Sequence, residues 1–343
     1  MKKLLLFFAA LLPCFLAHSQ EAEENGRYAE FQVIPRFDFN PWFSTQPQTG
    51  GDASSGYSFG NTSIYTLVEG ALSDNVSFTV SNHWLSLDPA ALYTSTLHSN
   101  TNNWLDIATV GFSFGNWSFT LGKDCIASGG FEYDAWDVDV DYMLAGESPL
   151  LVSNLWYNLP SYQWGAKAGY SFNEDNTLYL QMVTSPFGER PFASGLFAYS
   201  LKYDGGFGPF ANMWSASAVQ RPDGGFEWLV ALAQQVELGD FTIGFDWYNI
   251  ADVDFDDEEA PCEFLRGNTF RPRVSYAPSE KFDCQLVSNI YTRGGLYGLN
   301  AGAAAHYHPL EWLQVHGALG WDWGMNAFTA MAGVKVNFTF LSL

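Results

Sequence analysis

The sequence predicts an all-β fold: a transmembrane antiparallel β-barrel of about 16 strands. Three observations predict it. Period-2 alternation of apolar and polar residues runs through most of the chain, while helical periodicity is nearly absent. The clearest alternating segments run to 10–13 residues. That exceeds the roughly five or six of an ordinary strand and suits the roughly 9–11 needed to cross a bilayer at a tilt. Finally, short turns alternate along the chain with connections that are mostly longer.

Composition agrees. The 343 residues include 37 Asp+Glu against 15 Lys+Arg, a formal charge of −22, yet only 15% of residues are charged. Aromatics reach 17%, with 29 Phe, 17 Tyr and 13 Trp. So much aromatic surface excludes a disordered chain. The acidic balance argues against nucleic acid as a partner, because phosphates would be repelled. No uncharged apolar run near 18 residues follows the first 20, which excludes a helical membrane protein. A barrel strand gives one residue in two to lipid, so a near-zero mean hydropathy is compatible with a membrane.

At the N-terminus, Lys2 and Lys3 precede an apolar stretch from Leu4 to Leu16, and Ala17-His18-Ser19 offers small residues for cleavage. Residues 1–19 read as a secretory signal, with the barrel occupying 20–343 and placement in the cell outer membrane. Cys14 lies between Pro13 and Phe15, a poor setting for lipidation. The three remaining cysteines form no disulfide framework. Cys125 and Cys262 fall in the two longest loops and are candidates for a bridge.

The strands justify themselves by their faces. In 161–172, Tyr162, Trp164, Ala166, Ala168, Tyr170 and Phe172 form the apolar face. In 241–248 it is Phe241, Ile243, Phe245 and Trp247; in 328–340 it runs from Phe328 through Val334 to Phe340. Seven short turns, from Ser73-Asp74-Asn75 to Pro309-Leu310-Glu311, and eight other connections join 16 strands. Trp117, Phe241, Phe282 and Trp312 follow short turns, while Trp42, Trp84, Trp104, Trp156, Trp247, Trp321 and Trp323 fall at the opposite strand ends. Two aromatic girdles are expected there.

The opposite, polar face defines the candidate wall of a water-filled lumen: Arg36, Asp38, Asn40, Thr79, Ser81, His83, Lys167, Gln181, Lys202, Asp246, Arg271, Arg273, Arg293, His306, Asp322 and Lys335. Hydration would let these charges remain ionised. The longest connection, 124–155, is the third on the long-loop side. It carries Asp124, Glu132, Asp134, Asp137, Asp139, Asp141 and Glu147 with no Lys or Arg, and also Phe131, Tyr133, Trp136 and Tyr142. Such aromatics favour a loop folded into the lumen, with Glu132, Asp134, Asp137, Asp139 and Asp141 facing wall arginines across a constriction. An external acidic lid is the alternative.

A second acidic run holds Asp252, Asp254, Asp256 and Glu263, spaced somewhat like a calcium loop. Asp257 stands where such a loop needs Gly, so the run is a weak metal candidate. His306 and His316 are expected to be cross-strand neighbours, without a nearby carboxylate to complete a metal site. No nucleophile, phosphate-loop or dinucleotide motif is present, and neither cofactor nor enzymatic chemistry is implied.

The stretch Phe119-Thr120-Leu121-Gly122-Lys123-Asp124-Cys125-Ile126-Ala127-Ser128-Gly129-Gly130-Phe131-Glu132-Tyr133, with Tyr162-Gln163-Trp164-Gly165 after it, resembles the phosphate-selective porin O and P family of Gram-negative outer membranes, in its Bacteroidetes branch. The resemblance implies a 16-strand porin, passive diffusion of ions and small hydrophilic solutes, a setting of outer-membrane lipid and lipopolysaccharide, and a possible homotrimer. The family's phosphate preference goes with basic clusters, whereas the matching loop here is acidic. A plugged structural or adhesion barrel and an outer-membrane barrel enzyme are the rival readings.

Overall fold

Sixteen antiparallel strands close on themselves in the computed structural model, which describes residues 27–45, 55–59, 62–86, 105–146, 148–188, 192–251, 267–293 and 295–342. In chain order they are β1 (Tyr28–Ser44), β2 (Ser63–Ser73), β3 (Val76–Ser86), β4 (Leu105–Phe114), β5 (Trp117–Cys125), β6 (Tyr162–Asn173), β7 (Asn176–Thr184) and β8 (Phe197–Phe207). The second half is β9 (Phe210–Gln220), β10 (Phe226–Leu238), β11 (Phe241–Tyr248), β12 (Asn268–Ser279), β13 (Phe282–Arg293), β14 (Leu296–Leu310), β15 (Leu313–Asp322) and β16 (Ala327–Val336). A short strand, Ser55–Ser58, precedes β2, and Phe338–Ser342 prolongs β16 past Asn337. Each strand pairs with its predecessor, and β1 pairs with β16 to close the barrel, Arg36 opposite Lys335 and Asp38 opposite Gly333.

All seven turns on one side are two residues long, at 74–75, 115–116, 174–175, 208–209, 239–240, 280–281 and 311–312. Gly115, Gly208 and Gly239 take φ of 58°, 57° and 63° at the first turn position, as a II′ hairpin requires. Every longer connection lies at the other rim.

Alternation sets the two faces. On β1, Phe37 and Phe39 are exposed outward while Arg36, Asp38 and Asn40 are buried inward. Leu121, Leu180, Leu201, Ile243, Leu286 and Leu319 continue the outer apolar belt around the barrel. This is the surface a bilayer would cover.

Three expectations are corrected. Trp156 is no rim residue: it sits in a short helix, Asn154–Asn158, of the third loop. Trp42 shares the inner-face parity of Arg36, Asp38 and Asn40. Tyr162, assigned outward by alternation, instead hydrogen-bonds Asp137 of the loop. The third loop itself spans 126–161, because β5 runs through Asp124 to Cys125. The signal segment 1–19, Trp104, Glu147, Cys262 and the acidic candidates Asp252, Asp254, Asp256 and Glu263 lie outside the described residues.

Candidate pore constriction

The connection 126–161 is built to pack rather than to float. It contains a hairpin, Met143–Ala145 with Ser148–Leu150, and then the helix capped by Ser153, whose hydroxyl accepts from Trp156 N at 3.1 Å. Its apolar side chains enter two cores. Met143, Ala145, Leu150 and Leu151 pack on Val287, Ala304, Ala318, Ala327 and Met331 of β13–β16. Ile126, Leu155 and Leu159 pack with Val183, Ala198, Val219, Leu229, Ala231 and Tyr248 of β7–β11. The inner wall is apolar and small-residued where the loop lies. This corrects the expectation of a wholly polar, water-filled lining.

Glycine makes the closest approach possible. A Cβ on Gly320 would lie 2.7 Å from Leu150 Cδ2 and 3.0 Å from the Ala301 carbonyl oxygen, so the hairpin seats against bare backbone.

The loop acids meet wall bases directly. Arg271 Nε is 3.0 Å from Glu132 Oε2 and Arg271 Nη1 is 3.8 Å from Asp246 Oδ2. Arg271 also donates to the Leu151 carbonyl at 2.8 Å, and Glu132 accepts from Ser153 N at 3.1 Å and from the Ser153 hydroxyl. Lys202 lies 3.5 Å from Asp134 and 3.3 Å from Asp204. Lys335 bonds Asp139. Arg36 Nη2 is 2.5 Å from Asp141 Oδ1, its Nε is 2.9 Å from Asp38 Oδ2, and its Nη1 donates to the Val138 and Val140 carbonyls. Acid and base therefore touch, rather than face each other across an opening. Arg36, Asp38, Asp246 and Arg271 are at most 5% exposed, so pairing and not hydration compensates these charges. Despite burial, Arg36 and His306 hold the Asp141 carboxyl well below the usual carboxylate range.

His306 and His316 are direct partners across the β14–β15 turn, with ring centroids 6.3 Å apart. Carboxylates do surround them, contrary to expectation. His306 Nδ1 is 2.6 Å from Asp283 and its Nε2 bonds Asp141; His316 Nε2 is 2.5 Å from Asp38. Asp38 and His316 reach each other over Gly333, which pairs with both and has no side chain to separate them. Asp38 was already placed on the inner wall, and Asp283 falls on the inner face of β13. What the sequence hid was the barrel closure that sets β1 one strand away from β15. No group of three or more His, Cys, Asp or Glu among the described residues is arranged to hold a metal ion.

A second pair the sequence reading missed is His83 with Asp106, 2.6 Å apart on β3 and β4. Asp106 shares the sequence parity of the outward Val110 and Phe114, but the β3–β4 register shifts where Ser81 pairs with Ile107 and Asn82 with Leu105, which turns Asp106 inward. Arg273 stands over the Phe131 ring at 5.7 Å and donates to Gln235 at 2.7 Å. Arg293 keeps inward parity but sits exposed at the end of β13.

Opposite the dry side, a cavity of ≈ 320 Å³ remains between the loop and β4–β8. Asp124, Asp134, Asp137 and Asp204 line it with Lys167 and Lys202, so carboxylates outnumber ammonium groups two to one. Lys167 holds Asp124 at 2.6 Å. Asp137 has no basic partner among the described residues. Burial and the nearby charge of Asp106 push its carboxyl up to about 6, against the Tyr162 hydrogen bond.

No family model matches the chain, and no curated protein matches it. Solved structures do. Engineered variants of the Rhodobacter blastica porin share 14% identity, with 90% of this chain and 100% of theirs covered, at TM-score 0.56. A loop-deletion variant of OmpT, an outer membrane protein of Vibrio cholerae, shares 13% identity over 92% of this chain and 100% of that one, at TM-score 0.57. The chain thus has a porin-like barrel fold.

Proposed function

We propose that this chain is an outer-membrane pore for passive diffusion of ions and small hydrophilic solutes, with 126–161 as its constriction. One observation carries the reading. A loop fixed to the inner wall by apolar packing and four ion pairs leaves a charged cavity along one side of the lumen. The reading includes export by the 1–19 signal, an outer-membrane setting in lipid and lipopolysaccharide as a homotrimer, and no enzymatic role.

The charge of that cavity favours cations. Four carboxylates against two lysines give the cavity an excess of negative charge. The resemblance to phosphate-selective porins therefore extends to the architecture of the pore and not to its solute. The dry packing across the rest of the lumen favours a second reading, a plugged structural barrel. Reconstitution into planar bilayers with a KCl gradient separates the two. Single-channel steps with a cation-selective reversal potential are expected. A silent membrane overturns the pore, and an anion-selective potential overturns the cation preference.

A further inference from the structure

The geometry points to the cavity beside the loop as a subsite for a neutral polyhydroxylated solute, a saccharide of one or two rings. The inference rests on the pore reading and names the substrate class of the same site. A cavity of ≈ 320 Å³ lies at the lower end of the roughly 300–1,000 Å³ of small-molecule sites.

Aromatic rings line it from both sides: Tyr133, Trp136 and Trp156 from the loop, Tyr162 and Tyr179 from the wall. A passage for bare ions has no use for them. Trp136 is the telling one, because it stays 37% exposed while the loop's aliphatic side chains are buried in its two cores. A flat ring held open to an aqueous lumen suits the apolar C–H face of a pyranose.

The polar groups suit its hydroxyls. Lys167 is tied to Asp124, and Lys202 lies between Asp134 and Asp204. Fixed donors and acceptors thus sit side by side. An anion would be repelled by the surplus carboxylates. A neutral solute avoids that repulsion, and its hydroxyls can use the donors and the acceptors alike. Ser128 Oγ, the Tyr133 hydroxyl and Asp204 Oδ1, on residues of the same lining, are buried and have no hydrogen-bond partner among the described residues. Buried polar atoms without a partner are few in folded proteins, and a bound water or solute is one way to satisfy them.

Two measurements on the full chain test this with maltose as the probe. Calorimetric titration of the detergent-solubilised protein reads binding whether or not the barrel conducts. Single-channel recording reads block of the salt current. Saturable maltose binding at millimolar concentration is expected, with reversible block. Trp136→Ala should weaken both at least tenfold, Trp136→Phe should restore part of the loss, and the lipid-face control Trp214→Phe should bind like the parent. Asp204→Asn should also weaken binding. No maltose binding overturns the subsite. So does binding that survives Trp136→Ala, or block by tetraethylammonium but not by maltose. A barrel that binds maltose yet never conducts keeps the subsite and overturns the pore instead.

Discussion

Replacing Arg36 by Met separates what holds the third loop from what aligns it. Arg36 is 2% exposed and serves Asp38, Asp141 and the carbonyls of Val138 and Val140. Met keeps much of the volume but leaves two buried carboxylates without their guanidinium. Breaking a buried pair costs about 3–5 kcal/mol. At about 1.4 kcal/mol per tenfold, hydrogen exchange at Val140 and Leu144 should speed up by roughly two to nearly four powers of ten. The loop should nevertheless stay docked. Ten of its larger apolar side chains, from Ile126 to Leu159, are at most 8% exposed. Each is worth about 1.5–3 kcal/mol, so the gross apolar term exceeds the Arg36 term several-fold. Exchange by mass spectrometry and single-channel conductance on the same preparation check both halves. A conductance as large as that of a loop-deleted variant would show that ion pairs hold the loop, and unchanged exchange would show that Arg36 stabilises nothing.

Deleting 131–142 should enlarge single-channel conductance, because it removes Tyr133 to Asp137 from the cavity wall while leaving the Met143–Leu159 anchors. Cation selectivity should fall with pH around a midpoint near 6, as Asp137 is protonated, with His83 and Asp106 as titrating neighbours; reversal potentials from pH 8 to 5 read it, and Asp137→Asn should flatten the curve. The sign for stability follows from the raised carboxyl. Its contribution to loop docking is present below the ordinary value of 3.8 and is lost as pH rises through about 6, which exchange rates at the two pH values would report. Gly320→Ala should cost about 1–3 kcal/mol by pushing Leu150 off the wall, read as faster exchange in the hairpin with an unchanged strand spectrum.

The barrel was legible in the sequence because lipid imposes a strict rule on one face. Phe37, Phe39, Ile243 and Phe245 follow it, and the seven tight turns mark where strands end. Alternation failed under the loop, for a physical reason. There the inner face is also dry, so β9 presents Met213 and Val219 inward and β10 presents Leu229 and Ala231. Both faces then read as apolar. Trp156 and Tyr162 were misplaced for the same cause: a loop that packs as a small core obeys contacts rather than period. The acids Glu132, Asp134, Asp139 and Asp141 were found by composition, but their partners depend on barrel closure, which no local pattern encodes.

The position of the loop also bears on how the barrel assembles. Its contacts around 138–145 fall on Arg36 and Asn40 of β1, His306 of β14, and Thr329 and Lys335 of β16. Of these strands, β1 and β16 form the seam, where the chain must join residues 289 apart, as Asn40 and Thr329 are. A segment midway along the sequence that grips both edges divides that closure into two shorter ones, of 104 and 185 residues. Distant contacts are slow to form, since chain entropy is lost before they repay it. The third loop is therefore a splint for the last step of assembly. Variants that loosen it should insert more slowly and leave more protein unclosed, even where the finished barrel is equally stable.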